Sequence, residues 1–194
     1  MTWLYQTDYQ ILNAIQASRC PVLDFLMPLF TYFSEYGLGW ILLALILIVV
    51  KKTRKAGLTA GFALILGLIA VNIIVKPLVF RVRPYDNELY ASLRMYLRSD
   101  LLIPAWGDGS FPSGHAAASM EAAVGIWIFN KKIGIPAFIM ALLVCFSRLY
   151  LYMHYPSDVL VGILLGTVLG LLSALLVKLL YRKFGDRFAV LKED

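Results

Sequence analysis

Charge is scarce in this sequence. Acidic and basic side chains make up 15% of its 194 residues, hydrophobic ones 60%, and the mean hydropathy is +0.75. That excludes an ordinary soluble domain, which is about 25% charged. Cysteine is nearly missing. Cys20 falls near one membrane surface and Cys145 well inside an apolar run, too far apart to bridge, so no disulfide framework is expected. Internal repeats, low-complexity tracts and linkers are lacking too, and residues 1–194 read as a single membrane-embedded domain. The first residues lack the basic start of a secretory leader, and none is expected there.

What the chain does have is long apolar runs. A hydrocarbon core of about 30 Å takes about 20 apolar residues in a helix, and the runs predict five spans, near 22–50, 56–80, 112–130, 133–153 and 156–181. The expected fold is all-α, a polytopic membrane helical bundle. Residues 1–20 are too polar for a sixth span, because Gln6, Asp8, Gln10, Asn13 and Gln16 interrupt them. Trp3, Leu4, Ile11, Leu12 and Ile15 are left to form one apolar face, so an N-terminal interfacial helix is predicted.

Basic residues set the orientation. Lys51, Lys52, Arg54 and Lys55 follow the first span, and Lys131 and Lys132 the third. Lys178, Arg182, Lys183, Arg187 and Lys192 follow the fifth, against only Asp186, Glu193 and Asp194. The positive-inside rule puts these loops and the C-terminus in the cytoplasm, with the N-terminus and residues 81–111 and 154–155 outside. The net charge of +6 then reflects orientation and contact with anionic lipids rather than nucleic-acid binding.

At the outward end, three span ends deliver Lys76, Arg81, Arg83, Ser113, His115, Arg148, His154 and Asp158 to one layer, and it holds both histidines of the chain. Lys76, Arg83 and Arg148 ask for an anion, and guanidinium groups suit phosphate. If Pro112 and Ser113 start a helix, the N–H groups of Ser113, Gly114 and His115 are unpaired first-turn donors at the positive end of its dipole. The bland alternative for these three residues is a simple helix cap. A carboxylate on Asp158, four residues after His154, can hold one imidazole nitrogen as N–H and leave the other as a nucleophile. His115 is then placed to protonate a leaving oxygen.

These residues also carry a resemblance. "KPLVFRVRP" (Lys76 to Pro84), "PSGH" (Pro112 to His115) and "SRLYLYMHYPSD" (Ser147 to Asp158) resemble the three motifs of the type 2 phosphatidic acid phosphatase superfamily, K-x6-R-P, P-S-G-H and S-R-x5-H-x3-D, at every motif position. The resemblance implies a phosphohydrolase of the bacterial cytoplasmic membrane that needs no metal and no cofactor. In it His154 forms a phosphohistidine, Asp158 orients His154, and His115 protonates the leaving group. Lys76, Arg83, Ser113, Gly114 and Arg148 bind the phosphoryl oxygens. Bacterial members of this kind act on undecaprenyl diphosphate, phosphatidylglycerol phosphate or related lipids. Undecaprenyl diphosphate is the substrate expected here, with phosphatidylglycerol phosphate and phosphatidic acid as alternatives, and no obligate protein partner is evident.

Outside the motifs, residues 87–102 read as an amphipathic helix with Leu89, Leu93, Tyr96, Leu97 and Leu101 on one face and Arg94 and Arg98 on another. The two arginines belong either to a solvated edge or to a contact for a second phosphate. Glu35, Glu121 and Asn72 are candidates for a supporting role around the site. Two other classes compete with the phosphatase. A transporter places its binding groups near the bilayer midplane rather than at one surface. A metallohydrolase built on His115, His154 and Asp158 is opposed by three neighbouring cations and by the lack of any metal-ligand spacing.

Overall fold

A computed structural model of the chain describes residues 2–184 apart from Trp106. Arg187 and Lys192 of the last basic cluster, with Asp186, Glu193 and Asp194, lie outside the described residues. Every regular element within them is helical: α1 (Thr2–Ala17), α2 (Pro21–Phe33), α3 (Leu38–Val49), α4 (Arg54–Gly67), α5 (Lys76–Val79), α6 (Gly114–Phe129), α7 (Lys131–Tyr150) and α8 (Pro156–Phe184).

The bundle is organised around α6, against which α4, α7 and α8 pack. Close approach comes from small residues. Ala116, Ala117, Ser119, Ala122, Ala123 and Gly125 are buried along α6, and α8 faces them with Gly162, Gly166 and Gly170. A Cβ on Gly162 would meet the Ser113 carbonyl oxygen at 2.6 Å, one on Gly170 the Glu121 carbonyl at 2.7 Å, and one on Gly166 the Ala117 carbonyl. The G-x-x-x-G-x-x-x-G spacing lets two helices touch backbone to backbone where lipid supplies no hydrophobic drive.

The five expected spans are not all long enough to cross a membrane. Among the described residues three helices are: Lys51–Asp86, Lys131–Tyr150 and Pro156–Phe184. The expected first span is two helices bent by 46° at residue 34, a fourth crossing if taken as one. Tyr36 and Gly37 carry the chain through the bend at positive φ, 50° and 72°. The expected third span, α6, has only 16 residues, about 24 Å at 1.5 Å per residue. It is held inside the bundle by neighbours rather than by lipid. The second span passes through a π-helical stretch, Leu68–Val75, before Lys76. Such bulges are frequent beside functional sites.

At one end of the bundle the basic residues assemble. Lys55 lies over the Tyr181 ring at 4.7 Å and Lys178 over Phe129 at 5.8 Å, so the starts of α4 and the ends of α6 and α8 share that end. The opposite end is roofed by α1 and the 80–113 loop. The predicted apolar face of α1 divides. Leu12 is fully buried, whereas Trp3 (73% exposed), Leu4 and Ile11 point away. The docked side instead carries the polar Asp8 and Gln16 with Tyr9, all buried.

Residues 87–102 do not form the expected amphipathic helix. Glu88–Tyr90 and Arg98–Asp100 are single turns. Side chains from elsewhere take the backbone groups a helix needs: Asn13 donates to the Leu93 carbonyl at 2.9 Å, and the Met95 N–H donates to the Tyr152 hydroxyl at 3.1 Å. Leu93, Tyr96 and Leu101 still face inward, against the Tyr9–Leu12–Tyr152 cluster. Leu89 is 91% exposed.

Candidate active site

Below that roof lies a cavity of about 680 Å³. Lys76, Arg83, Asp108, Gly114, His115 and His154 line its polar part, and Ile41, Leu64, Leu68 and Val71 its apolar wall. The elements deliver these groups by simple means. The π-helical stretch carries the second span to Lys76 at the start of α5, Pro84 ends the extended stretch carrying Arg83, and Ser113 caps α6, its hydroxyl accepting from the Ala116 N–H. His154 stands in the short segment between α7 and α8, with Pro156 at the first position of α8.

The geometry fixes the state of His154. Its Nδ1 lies 2.7 Å from the Ser110 carbonyl oxygen, which only accepts, so Nδ1 carries the proton and Nε2 the lone pair. Arg83 Nη1 approaches that lone pair at 3.3 Å. Burial pushes the imidazole pKa well below its usual value, and the charges of Arg83, Arg148 and Lys76 push it further. The neutral ring is therefore kept to lower pH than in a free histidine, as an attacking nitrogen requires.

Asp158 is 3.8 Å from His154 Nδ1, too far for a hydrogen bond. The Ser110 carbonyl orients the ring. Asp158 instead accepts from the Tyr155 N–H at 2.9 Å and from Arg81 Nη1 at 2.6 Å. Arg81 donates also to Asp8 of α1 at 2.7 Å, and its guanidinium lies over the Tyr5 and Tyr155 rings at 4.4 and 3.9 Å. The carboxylate of Asp158 is thus part of an ion network reaching into the first helix.

The expected cradle of three N–H groups is smaller than the sequence suggests. The Ser113 N–H is taken by the Asp158 carbonyl at 3.1 Å, which leaves Gly114 and His115 at the cavity wall. Gly114 lies close under Asn72, whose Oδ1 a Cβ would meet at 2.7 Å, so any side chain there would have to displace the amide. Arg148 is fully buried behind the cavity, donating to Thr31 Oγ1 at 3.2 Å, and contributes charge. Asn72 and Glu121 line the cavity, and Glu121 Oε2 has no hydrogen-bond partner among the described residues. Glu35 sits partly exposed in the turn between α2 and α3. Arg94 pairs with Glu88 at 2.8 Å and Arg98 with Asp86, and neither lines the cavity.

Residues 56–182 match the PAP2 superfamily model, a stretch holding all of these motif residues. The chain belongs to the PAP2 superfamily. The undecaprenyl-diphosphatase BcrC of Bacillus subtilis (strain 168) is 34% identical over 155 residues, 79% of this chain and 75% of that protein. An undecaprenyl-diphosphatase of Sulfolobus acidocaldarius is 33% identical over 160 residues, 80% of this chain and 71% of its own. Among solved structures, the transmembrane PAP2-type phosphatidylglycerolphosphate phosphatase of Bacillus subtilis superposes with a TM-score of 0.69 at 26% identity, covering 94% of this chain and 88% of that one. This PAP2 protein is a membrane-embedded lipid phosphatase, a phosphohydrolase.

Two groups of the PAP2 site escaped the sequence reading. Asp108 binds both Lys76 and Arg83, each at 2.5 Å. Asp108 is one of four acids between residues 81 and 111, with Asp86, Glu88 and Asp100, so nothing local in the sequence singled it out. Asp8 is the other: Arg81, which the sequence already places in this layer, bridges it to Asp158, and nothing in the spacing links residue 8 to residue 158, because they share Arg81 only once α1 folds back over the bundle.

Proposed function

We propose that the protein hydrolyses undecaprenyl diphosphate to undecaprenyl phosphate at the outer face of the bacterial cytoplasmic membrane, through a phosphohistidine on His154. The observation that carries the mechanism is the Nδ1–H donated to Ser110, because it leaves the Nε2 lone pair beside Arg83 in the cavity. Nε2 attacks the terminal phosphorus while Lys76, Arg83 and the α6 N-terminus hold its oxygens. The bond to the leaving oxygen breaks with its electron pair, and His115 supplies the proton. A water molecule then gives a proton back to His115 and attacks phosphorus, and the P–N electrons return to Nε2. The substrate assignment is supported by the two relatives named for this lipid and by an apolar wall running inward from the phosphate end.

The test is phosphate release by the purified protein from undecaprenyl diphosphate, phosphatidylglycerol phosphate and phosphatidic acid. The expected preference for the prenyl diphosphate is about tenfold or more in kcat/KM, about 1.4 kcal/mol in the barrier. His154→Ala is expected to abolish release from all three, with no phosphoprotein trapped at alkaline quench. Near-normal turnover by that variant would remove His154 from the mechanism, and a tenfold preference for phosphatidylglycerol phosphate would replace the substrate.

A further inference from the structure

The cations that hold the phosphoryl group are already engaged by an acid of the protein itself. Arg83 has five N–H donors, and at least four are in use: Nε to the Asp108 carbonyl at 3.1 Å, Nη1 to the Met153 carbonyl at 2.8 Å and to His154 Nε2 at 3.3 Å, and Nη2 to Asp108 Oδ1 at 2.5 Å. At most one remains. Lys76 gives an N–H to the other oxygen of the same carboxylate at 2.5 Å. Bidentate gripping of a phosphoryl group by Arg83 needs two adjacent donors on one edge of the fork, and the edge nearest Asp108 is occupied. Asp108 and the phosphoryl group therefore compete for the same N–H groups.

We propose that Asp108 is a specificity residue, an internal anion that yields Lys76 and Arg83 to a dianionic terminal phosphate but not to the monoanionic phosphodiester of a bulk phospholipid. The inference deepens the phosphatase reading given above and rests on it. A carboxylate and a phosphodiester carry the same single charge, and the carboxylate has the advantage of being tethered in place. A terminal phosphate carries about −1.5 to −2 at neutral pH, so it gains nearly twice the Coulomb attraction and repels the carboxylate as it enters. The part that moves is also set by burial. The Asp108 side chain is 39% exposed at the cavity mouth, whereas those of Lys76 and Arg83 are 15% and 3% exposed and stay fixed.

Protonation does not relieve the competition. Burial alone would raise the Asp108 pKa, but the hydrogen bonds and charges of Lys76 and Arg83 bring it down to about 2. The carboxylate is therefore ionised throughout the working pH range, and only a stronger anion displaces it. An enzyme embedded in phosphodiester lipids gains from such a device, because its pocket would otherwise be filled by the surrounding bilayer.

The experiment compares wild type with Asp108→Asn, which keeps the side-chain shape and removes the charge, in the purified full chain. Inorganic phosphate binding is read by thermal shift, without turnover, and inhibition of phosphate release by phosphatidylglycerol in mixed micelles is read alongside. Asp108→Asn is expected to bind inorganic phosphate about tenfold more tightly, the scale of one charge-assisted hydrogen bond, and to become inhibited by phosphatidylglycerol at concentrations wild type ignores. Phosphate binding that is unchanged or weaker in the variant overturns the proposal, because Asp108 would then be positioning the cations rather than competing for them. The thermal shift is independent of lipid turnover, so a protein that binds phosphate in this pattern yet releases none from lipid would fail the phosphatase reading alone. If Asp108→Asn does not fold, Asp108→Glu serves with the opposite sign required: the charge is kept, and phosphate affinity must stay within about twofold of wild type, a difference of about 0.4 kcal/mol.

Discussion

In the proposed mechanism His115 and His154 have unlike tasks although both face one cavity, and their variants are expected to behave differently across substrates. The nucleophile is required whatever leaves, whereas an acid matters most when the departing oxygen is strongly basic. Cleaving a diphosphate releases a lipid monophosphate, a stable anion. Cleaving a phosphate monoester releases an alkoxide that must be protonated. His115→Ala is therefore expected to cost about 10²–10⁴-fold on phosphatidic acid, the usual range for general acid catalysis, and at least tenfold less than that on undecaprenyl diphosphate. The comparison of kcat between the two lipids decides it. Equal losses would mean that His115 binds the phosphoryl group instead of protonating the leaving oxygen.

Among the elements, α1 does more than lie at the surface. Asp8 accepts from Arg81 and from Ser157, at 2.7 Å from Arg81 Nη2 and 3.0 Å from the Ser157 N–H, so one helical residue ties the start of α8 to the stretch that carries Arg83. Asp8 and Asp158 are buried and Arg81 nearly so, with side chains 3%, 0% and 9% exposed. Breaking such a group leaves an uncompensated charge in a poor solvent for it. Arg81→Ala strands two carboxylates and is expected to destabilise the protein by about 3–5 kcal/mol. Asp8→Ala leaves Arg81 its contact with Asp158 and is expected to cost less. Thermal unfolding in detergent gives both numbers, and an Arg81→Ala variant within about 0.5 kcal/mol of wild type, the range of an ordinary surface change, would show the network to be ornamental. The arginines of the 80–113 loop have a similar structural use, since Arg94 with Glu88 and Arg98 with Asp86 pin short turns together.

For the whole molecule, the distribution of basic residues is expected to set which way the bundle faces. Its two ends are chemically distinct, with the Lys51–Lys55, Lys131–Lys132 and Lys178–Lys183 groups at one and the cavity at the other. The protein carries its own reporter. Cys20 is exposed and Cys145 buried, and the Cys20 N–H lies 3.3 Å from the Tyr150 hydroxyl, at the end of α7 that leads to His154. With the basic end in the cytoplasm, a membrane-impermeant thiol reagent is expected to label the protein in intact cells, or in spheroplasts where an outer membrane intervenes, and Cys20→Ser to abolish the labelling. Labelling that appears only after permeabilisation reverses the orientation and moves the reaction to the inner face.

The sequence by itself determined the composition class, the membrane habit and the phosphate chemistry. Lys76, Arg83, His115 and His154 reach one cavity because motif spacing and span ends are local properties, set by the rise of a helix and the thickness of a bilayer. The Gly162–Gly166–Gly170 spacing offers a smooth helix face, but that α6 is the helix packed on it is known only from the fold. What only the tertiary structure decided is which partner each polar group takes. Asp158, four residues from His154, was the obvious local partner, yet the ring hydrogen-bonds to Ser110 and the carboxylate to Arg81. The periodic 87–102 segment gave up its helix because Asn13 and Tyr152 claimed its backbone. Asp108 reached Lys76 across 32 positions and Asp8 reached Arg81 across 73. Sequence periodicity carries information over a turn or a span, whereas a buried charge must find compensation wherever the folded chain brings it, and that distance has no trace in the order of residues.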